Sequence, residues 1–160
     1  GSKWNVKIKY IYEEYPLGTA GAMKLVPDKI KESILVMNGD LLTKVNLNNI
    51  LNYHKKNNAE ITICGRENNI TSPYGVLEVE GIKFKAMKEK PTFKYLVNAG
   101  IYIFKGSVID IIKENEYIDM PDLIQRSKLL DKNIIVYPIH EYWLDIGRHE
   151  SLTKAYADWE

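Results

Sequence analysis

Ile34-Leu35-Val36-Met37-Asn38-Gly39-Asp40 is the stretch on which the reading of this chain turns. Four consecutive apolar residues, closed at once by Asn-Gly-Asp, predict a short strand buried on both faces that ends in a polar turn. Strands of this kind belong to sheets covered by helices. Downstream, Asn46 suits a helix cap, and Leu47, Ile50, Leu51 and His54 follow at spacings of three and four. Asn57-Asn58 ends that helix, and Glu60 to Gly65 returns as a strand. Strand, helix, strand in this order is a βαβ crossover. Upstream, Trp4 to Tyr12 mostly alternates, with Val6, Ile8, Tyr10 and Tyr12 set against lysines, and predicts a half-buried strand halted by Pro16. Leu17 to Ala22 then leads into a short helix-like run ending at Leu25 and closed by Pro27.

Beyond Arg66 the texture changes. Tyr74 to Val79 and Ile82 to Met87 flank Glu80-Gly81 and read as a hairpin. Leu96 to Phe104 is strongly apolar, helices are expected from Val108 and from Met120-Pro121-Asp122, strands at 134–139 and 142–146, and a terminal helix from Glu150 to Trp159. The sum is one α/β unit with parallel crossovers first and a hairpin-bearing insert later. Gly1-Ser2 reads as a cleavage scar, so residues 1–3 are set aside and the domain is expected over 4–160.

Composition narrows the function classes. The chain has 160 residues, 45% hydrophobic, with 22 basic and 21 acidic residues and a net charge of +1. Balanced, interspersed charge gives no electrostatic case for nucleic acid or an anionic membrane as partner. No apolar run reaches the roughly 18 residues of a membrane span, and a cytoplasmic protein is the expectation. The one cysteine, Cys64, excludes an intramolecular disulfide and a multi-cysteine zinc site, and its strand context makes it a small buried apolar residue.

Ligands of open α/β sheets bind beyond the carboxyl ends of the strands, and two acids fall there. Gly39-Asp40 follows the strand at 34–37, with Gly39 allowing a tight turn or close approach. Asp145 sits between Leu144 and Ile146 close to another strand end. Two oxygen ligands from separate strands suit a hard cation that keeps its waters and binds phosphate, as magnesium does. The ordinary reading of each is a turn former or a locally hydrogen-bonded aspartate. Leu17-Gly18-Thr19-Ala20-Gly21 is small and glycine-punctuated, so a planar base could lie on its backbone; tight helix packing is the plainer account. Lys88-Glu89-Lys90-Pro91 offers a cation for phosphate and a carboxylate for sugar hydroxyls, or simply a solvated surface. Asn98 places an amide inside an apolar strand, where burial would demand a partner.

Taken in order, P-L-G-T-A-G-A (16–22), V-M-N-G-D (36–40), Y-G-V (74–76), K-E-K-P (88–91), N-A-G-I-Y (98–102) and W-L-D-I-G (143–147) resemble the sugar-1-phosphate nucleotidylyltransferases. The resemblance runs from about residue 8 to the C-terminus. It implies a Rossmann-like mixed sheet flanked by helices, the nucleotide-diphospho-sugar transferase fold. It also implies transfer of a nucleotidyl group from a nucleoside triphosphate to a hexose 1-phosphate, with Mg2+ as cofactor. By position, Leu17, Gly18, Thr19, Ala20, Gly21 and Gly39 would bind the nucleotide. Gly75, Glu89, Lys90 and Asn98 would bind the sugar phosphate; Asp40, Lys90 and Asp145 would be catalytic, and Asp40 and Asp145 the metal ligands. A phosphate monoester needs no base to attack, so His54, His140 and His149 receive structural readings.

One family element is missing from the stretch in hand. The family begins with a strand and a G-x-G-T-R-L loop that grips the triphosphate, an opening on the order of 70–80 residues that nothing before Trp4 supplies. From this the 160-residue piece is expected to be inactive alone and to self-associate through a bare sheet edge beside residues 34–37. The alternative function is a non-catalytic module that senses a sugar nucleotide.

Overall fold

The computed structural model describes residues 1–26, 32–147 and 149–158. After a 3-10 turn at Ser2–Trp4, the elements in chain order are α1 (Gly18–Gly21), continued by a 3-10 turn at Ala22–Leu25, β1 (Ser33–Met37), β2 (Leu41–Thr43), α2 (Leu47–Lys56) and β3 (Ile61–Thr71). They continue with β4 (Val76–Glu80), β5 (Lys83–Lys88), β6 (Thr92–Lys105), α3 (Gly106–Ile109), α4 (Met120–Leu129), β7 (Ile134–Ile139), β8 (Trp143–Asp145) and α5 (His149–Asp158). Pro27 and Trp159, expected to close elements, lie outside the described residues. No described helix is long and apolar enough to cross a membrane.

The four-stranded sheet has the order β1-β6-β3-β7. The crossover from β1 through α2 to β3 therefore skips one place, and β6 fills it. That interior place explains the burial of β6: Ala99 to Phe104 are all enclosed, on both faces of the strand. β3 behaves likewise over its first half, where Ile61, Thr62 and Cys64 are fully buried. Burial pushes the Cys64 thiol up to about 12, consistent with an inert core residue.

Two expectations are corrected. β1 was expected to be buried on both faces, but it is an edge of the four-stranded sheet and leaves Leu35 and Met37 exposed. An apolar run records what a strand can bury; its neighbours decide what it does bury. Residues 4–12 form no strand, and Val6, Ile8, Tyr10 and Tyr12 are all exposed. Alternation alone makes no ladder, because a strand must also pair its backbone N–H and C=O groups. The hairpin is present as an antiparallel β4–β5 pair in the register Val76↔Lys88, bulged at Glu78/Val79, with Gly81 at φ +59° in the turn. Its apolar side chains Leu77, Val79, Phe84 and Met87 are exposed.

Contacts group the chain into two compact units: Gly1–Val36, Asn48–Thr62 and Tyr102–Ile135 in the first, and Met37–Leu47, Ile63–Ile101 and Val136–Glu160 in the second. The core of the first gathers Ile50, Ile61, Ile103, Phe104, Ile112 and Leu123. His54 is buried there too, its Nδ1 2.8 Å from Thr62 Oγ1 and its Nε2 3.1 Å from Ser33 Oγ. Burial, then the charges of Lys105 and Lys55, lower its pKa, so it is a neutral core residue as expected. The second unit buries Leu41, Val45, Cys64, Ala99, Ile101 and Ile139. There Arg66 Nη1 donates to the carbonyls of Ile139 and Glu141 at 3.2 and 2.9 Å.

Candidate active site

In the second unit, β2 and β8 pair antiparallel with Leu41 opposite Asp145 and Thr43 opposite Trp143. The ladder is locked at its far end by Thr43 Oγ1 and Lys44 N, which both donate to the Tyr142 carbonyl at 2.8 and 3.0 Å. Trp143 Nε1 donates to the carbonyl of buried Ala99 at 2.8 Å and ties β8 to β6. At the near end Ile146 N donates to the Asp40 carbonyl at 2.9 Å. The register thus fixes where both acids stand.

They stand together. A Cβ built on Gly147 would lie 2.9 Å from Asp40 Oδ2 and 3.1 Å from Asp145 Oδ1. The two carboxylate oxygens are therefore within about 6 Å of one another, around a space that only glycine leaves open. Gly147 N also donates to Asp145 Oδ1 at 2.8 Å, so the ordinary local hydrogen bond of this aspartate is present as well. Among the described residues no group of three or more His, Cys, Asp or Glu is placed to hold a metal. A cation here would rest on two protein oxygens and complete its shell with water and phosphate; that donor set fits magnesium. Gly39 is exposed and a Cβ there would touch nothing within 4 Å, so its place in the turn leaves open approach rather than relief of crowding.

Asn98 is exposed rather than enclosed, and its Oδ1 accepts from Gly100 N at 3.0 Å. That bond supports Gly100 at φ +68°, where a Cβ would come 2.8 Å from Asn38 Nδ2. The β4–β5 register brings Gly75 to Glu89, with a Cβ on Gly75 only 3.0 Å from Glu89 Oε2. The two lysines beside that glutamate differ. Lys88 pairs with Glu78 at 2.6 Å across the hairpin. Lys90 is exposed, has no ion pair among the described residues, and sits at φ +43°. A left-handed lysine costs about 1–2 kcal/mol, a strain that clusters at ligand-binding positions.

The turn at 17–21 belongs to the first unit and is clamped onto residues 116–120. Ala20 N and Gly21 N donate to the Ile118 carbonyl at 3.0 and 3.2 Å, and Ile118 N returns a bond to the Leu17 carbonyl at 3.0 Å. Gly18, at φ +76°, and Gly21 permit this approach: Cβ atoms there would lie 2.6 Å from the Ile118 carbonyl oxygen and 2.5 Å from that of Glu116. Tight packing is thus one use of these glycines, and the amides of Ala20 and Gly21 are engaged internally. A cleft of about 530 Å³ adjoins the turn, walled by Tyr12, Glu14, Pro16, Leu17, Asn115 and Tyr117 among others.

Gly147 and Asp119 carry no motif of their own in the sequence. The signal for Gly147 was its place two residues after Asp145; Asp119 showed only as the residue before Met120-Pro121, a helix-capping position.

In open α/β sheets ligands bind beyond the carboxyl ends of the strands; Asp40 follows the end of β1 and Asp145 ends β8. The chain belongs to the nucleotidyl transferase family, whose model matches residues 1–160. It is 28% identical over 165 residues to the mannose-1-phosphate guanylyltransferase of Mycobacterium tuberculosis, covering 99% of this chain and 46% of that protein. Against the mannose-1-phosphate guanyltransferase of Yarrowia lipolytica the identity is 34% over 157 residues, covering 91% and 42%. The crystal structure of HddC from Yersinia pseudotuberculosis superposes with a TM-score of 0.69 at 22% identity, over 98% of this chain and 68% of that one. The mixed sheet flanked by helices expected for the nucleotide-diphospho-sugar transferase fold is therefore the fold of this chain. The chain spans less than half the length of these curated relatives.

Proposed function

We propose that the protein carrying this chain transfers a nucleotidyl group from a nucleoside triphosphate to a hexose 1-phosphate, giving a nucleoside diphosphate sugar and pyrophosphate. The observation that carries the reading is the convergence of Asp40 and Asp145 on Gly147. The naming of the sequence relatives as mannose-1-phosphate guanylyltransferases favours GTP and mannose 1-phosphate.

A phosphate oxygen of the sugar phosphate attacks the nucleotide α-phosphorus in line, a new P–O bond forms, and the bond to the β-phosphate oxygen breaks. The nucleophile is already an anion at neutral pH, so no side chain has to take a proton. That agrees with a buried, neutral His54 and an inert Cys64. Catalysis is then positioning and charge neutralisation. Asp40 and Asp145 would hold Mg2+, which when bound offsets phosphate charge. In this reading Lys90, without an ion pair among the described residues, offers its ammonium to the sugar phosphate; Gly75, Glu89 and Asn98 contact the sugar, and the turn Leu17 to Gly21 and, separately, Gly39 are nucleotide contacts. For the 160-residue chain by itself, self-association through the edge strand β1 is proposed, supported by the exposed Leu35 and Met37 on that strand.

The test is pyrophosphate release by the full-length protein, screened with four nucleoside triphosphates against several hexose 1-phosphates. Release with one pair is expected, and Asp40→Ala or Asp145→Ala should each reduce it at least a hundredfold, ~3 kcal/mol of barrier. No release with any pair overturns the reaction; wild-type turnover in either variant overturns the metal assignment.

A further inference from the structure

Asp119 occupies the N-cap of α4 yet makes no side-chain cap bond to its own helix. Its carboxylate reaches instead to a residue a hundred positions earlier. Oδ1 accepts from Thr19 N at 3.0 Å and from Thr19 Oγ1 at 3.2 Å, while Oδ2 accepts from Tyr117 OH at 3.2 Å. The capping duty passes to Thr19, whose Oγ1 accepts from Met120 N, the first amide of α4, at 2.8 Å. One threonine therefore caps a helix with its oxygen and is held through its amide and hydroxyl hydrogen by the residue at that helix's N-cap. Pro121 has no amide to offer, and of the remaining helix-start donors it is Met120 N that Thr19 meets.

We infer that Asp119 is the positioning residue of the nucleotide turn, acting through Thr19 to set the backbone of residues 17–21 against α4. This rests on the reading of that turn as a nucleotide-binding element. Three features make the role specific rather than general packing. A capping aspartate is expected to serve its own helix, and this one does not. The bond to Thr19 N is charge-assisted, about twice the strength of a neutral one, and falls on the middle residue of the turn. Apart from the buried Leu17, the turn has no other long side chain to anchor it, since Gly18, Ala20 and Gly21 carry none beyond a methyl group. The remaining backbone bonds, from Ala20, Gly21 and Ile118, fix the distance between the two segments. The Asp119 bonds pin Thr19 itself, between Gly18 and those engaged amides.

The experiment uses the full-length protein and two readouts, equilibrium binding of each nucleoside triphosphate with Mg2+ and steady-state pyrophosphate release. Asp119→Ala should weaken binding of the preferred triphosphate by about tenfold or more, while KM for the hexose 1-phosphate and kcat at saturation hold within about threefold. Asp119→Asn keeps an oxygen that can accept from Thr19 N but not the charge, and should recover part of the lost affinity. Asp119→Ser, which is a good helix cap but cannot hold Thr19 with a charge, gives a second variant should Asp119→Ala not fold; it should show the same selective loss. Wild-type triphosphate affinity in folded Asp119→Ala overturns the inference and leaves the proposed reaction standing. Parallel loss of both substrates and kcat, without rescue by asparagine, overturns it in favour of general packing. A full-length wild-type protein that binds a triphosphate but releases no pyrophosphate removes the reaction, and the affinity series still decides the role of Asp119. A full-length wild-type protein that binds none overturns both.

Discussion

Gly147→Ala puts one methyl group where the Asp40 and Asp145 carboxylates converge. Its Cβ would stand 2.9 Å from Asp40 Oδ2 and 3.1 Å from Asp145 Oδ1, against 3.4 Å for ordinary contact. Each oxygen must retreat by a few tenths of an ångström. Both aspartates are exposed, so their side chains can turn away, and the cost in fold stability should stay below about 1 kcal/mol. The two donors then no longer face one cation. Outer-sphere disturbances of this size lower metal affinity by roughly 10–100-fold, about 1.4–2.7 kcal/mol. The assay is pyrophosphate release by the full-length protein as a function of Mg2+ concentration, with a thermal melt as control. The half-saturating Mg2+ concentration should rise at least tenfold while the melting temperature moves by only a few degrees. An unchanged Mg2+ dependence in a folded Gly147→Ala protein refutes the reasoning, because the convergence would then have no bearing on the reaction.

Two further outcomes test other parts of the structure. His54 has its pKa lowered by burial and by Lys105 and Lys55, so the unfolded chain takes up its proton first as the pH falls. The stability held by the neutral ring is complete above the unfolded value near 6.5 and is lost as pH drops through the lower folded value, by at most about 1.4 kcal/mol per pH unit. Urea midpoints should therefore fall between pH 7.5 and 5.5. That window lies above the range where Glu60, Glu116 and Asp119, all with lowered pKa values, contribute, and a flat response counts against the neutral buried ring. Lys90→Gly relieves the φ of +43° and removes the ammonium: stability should hold or rise by up to about 1 kcal/mol while KM for the hexose 1-phosphate rises at least tenfold. A stable variant with unchanged KM removes Lys90 from the sugar-phosphate site.

The sequence by itself determined most of the element types and the family. Period and punctuation around Ile34–Asp40, Asn46–Asn58 and Glu80–Gly81 were local signals, and local signals survive folding when the neighbours agree with them. The hairpin, the helix with His54 on its buried stripe, and the burial of Cys64 were all legible in this way. Tertiary structure decided what depends on partners. Residues 4–12 alternate like a strand but form none, and the apolar run at 34–37 became an edge strand of its sheet, because backbone pairing and two-sided burial are properties of neighbours. The same holds for the site. Asp40 and Asp145 were visible as acids near strand ends, yet their meeting depends on the β2–β8 register, and the room between them on Gly147. Asp119 gave no sign beyond a capping position, since its bond to Thr19 spans a hundred residues, and no spacing rule reaches that far along a chain.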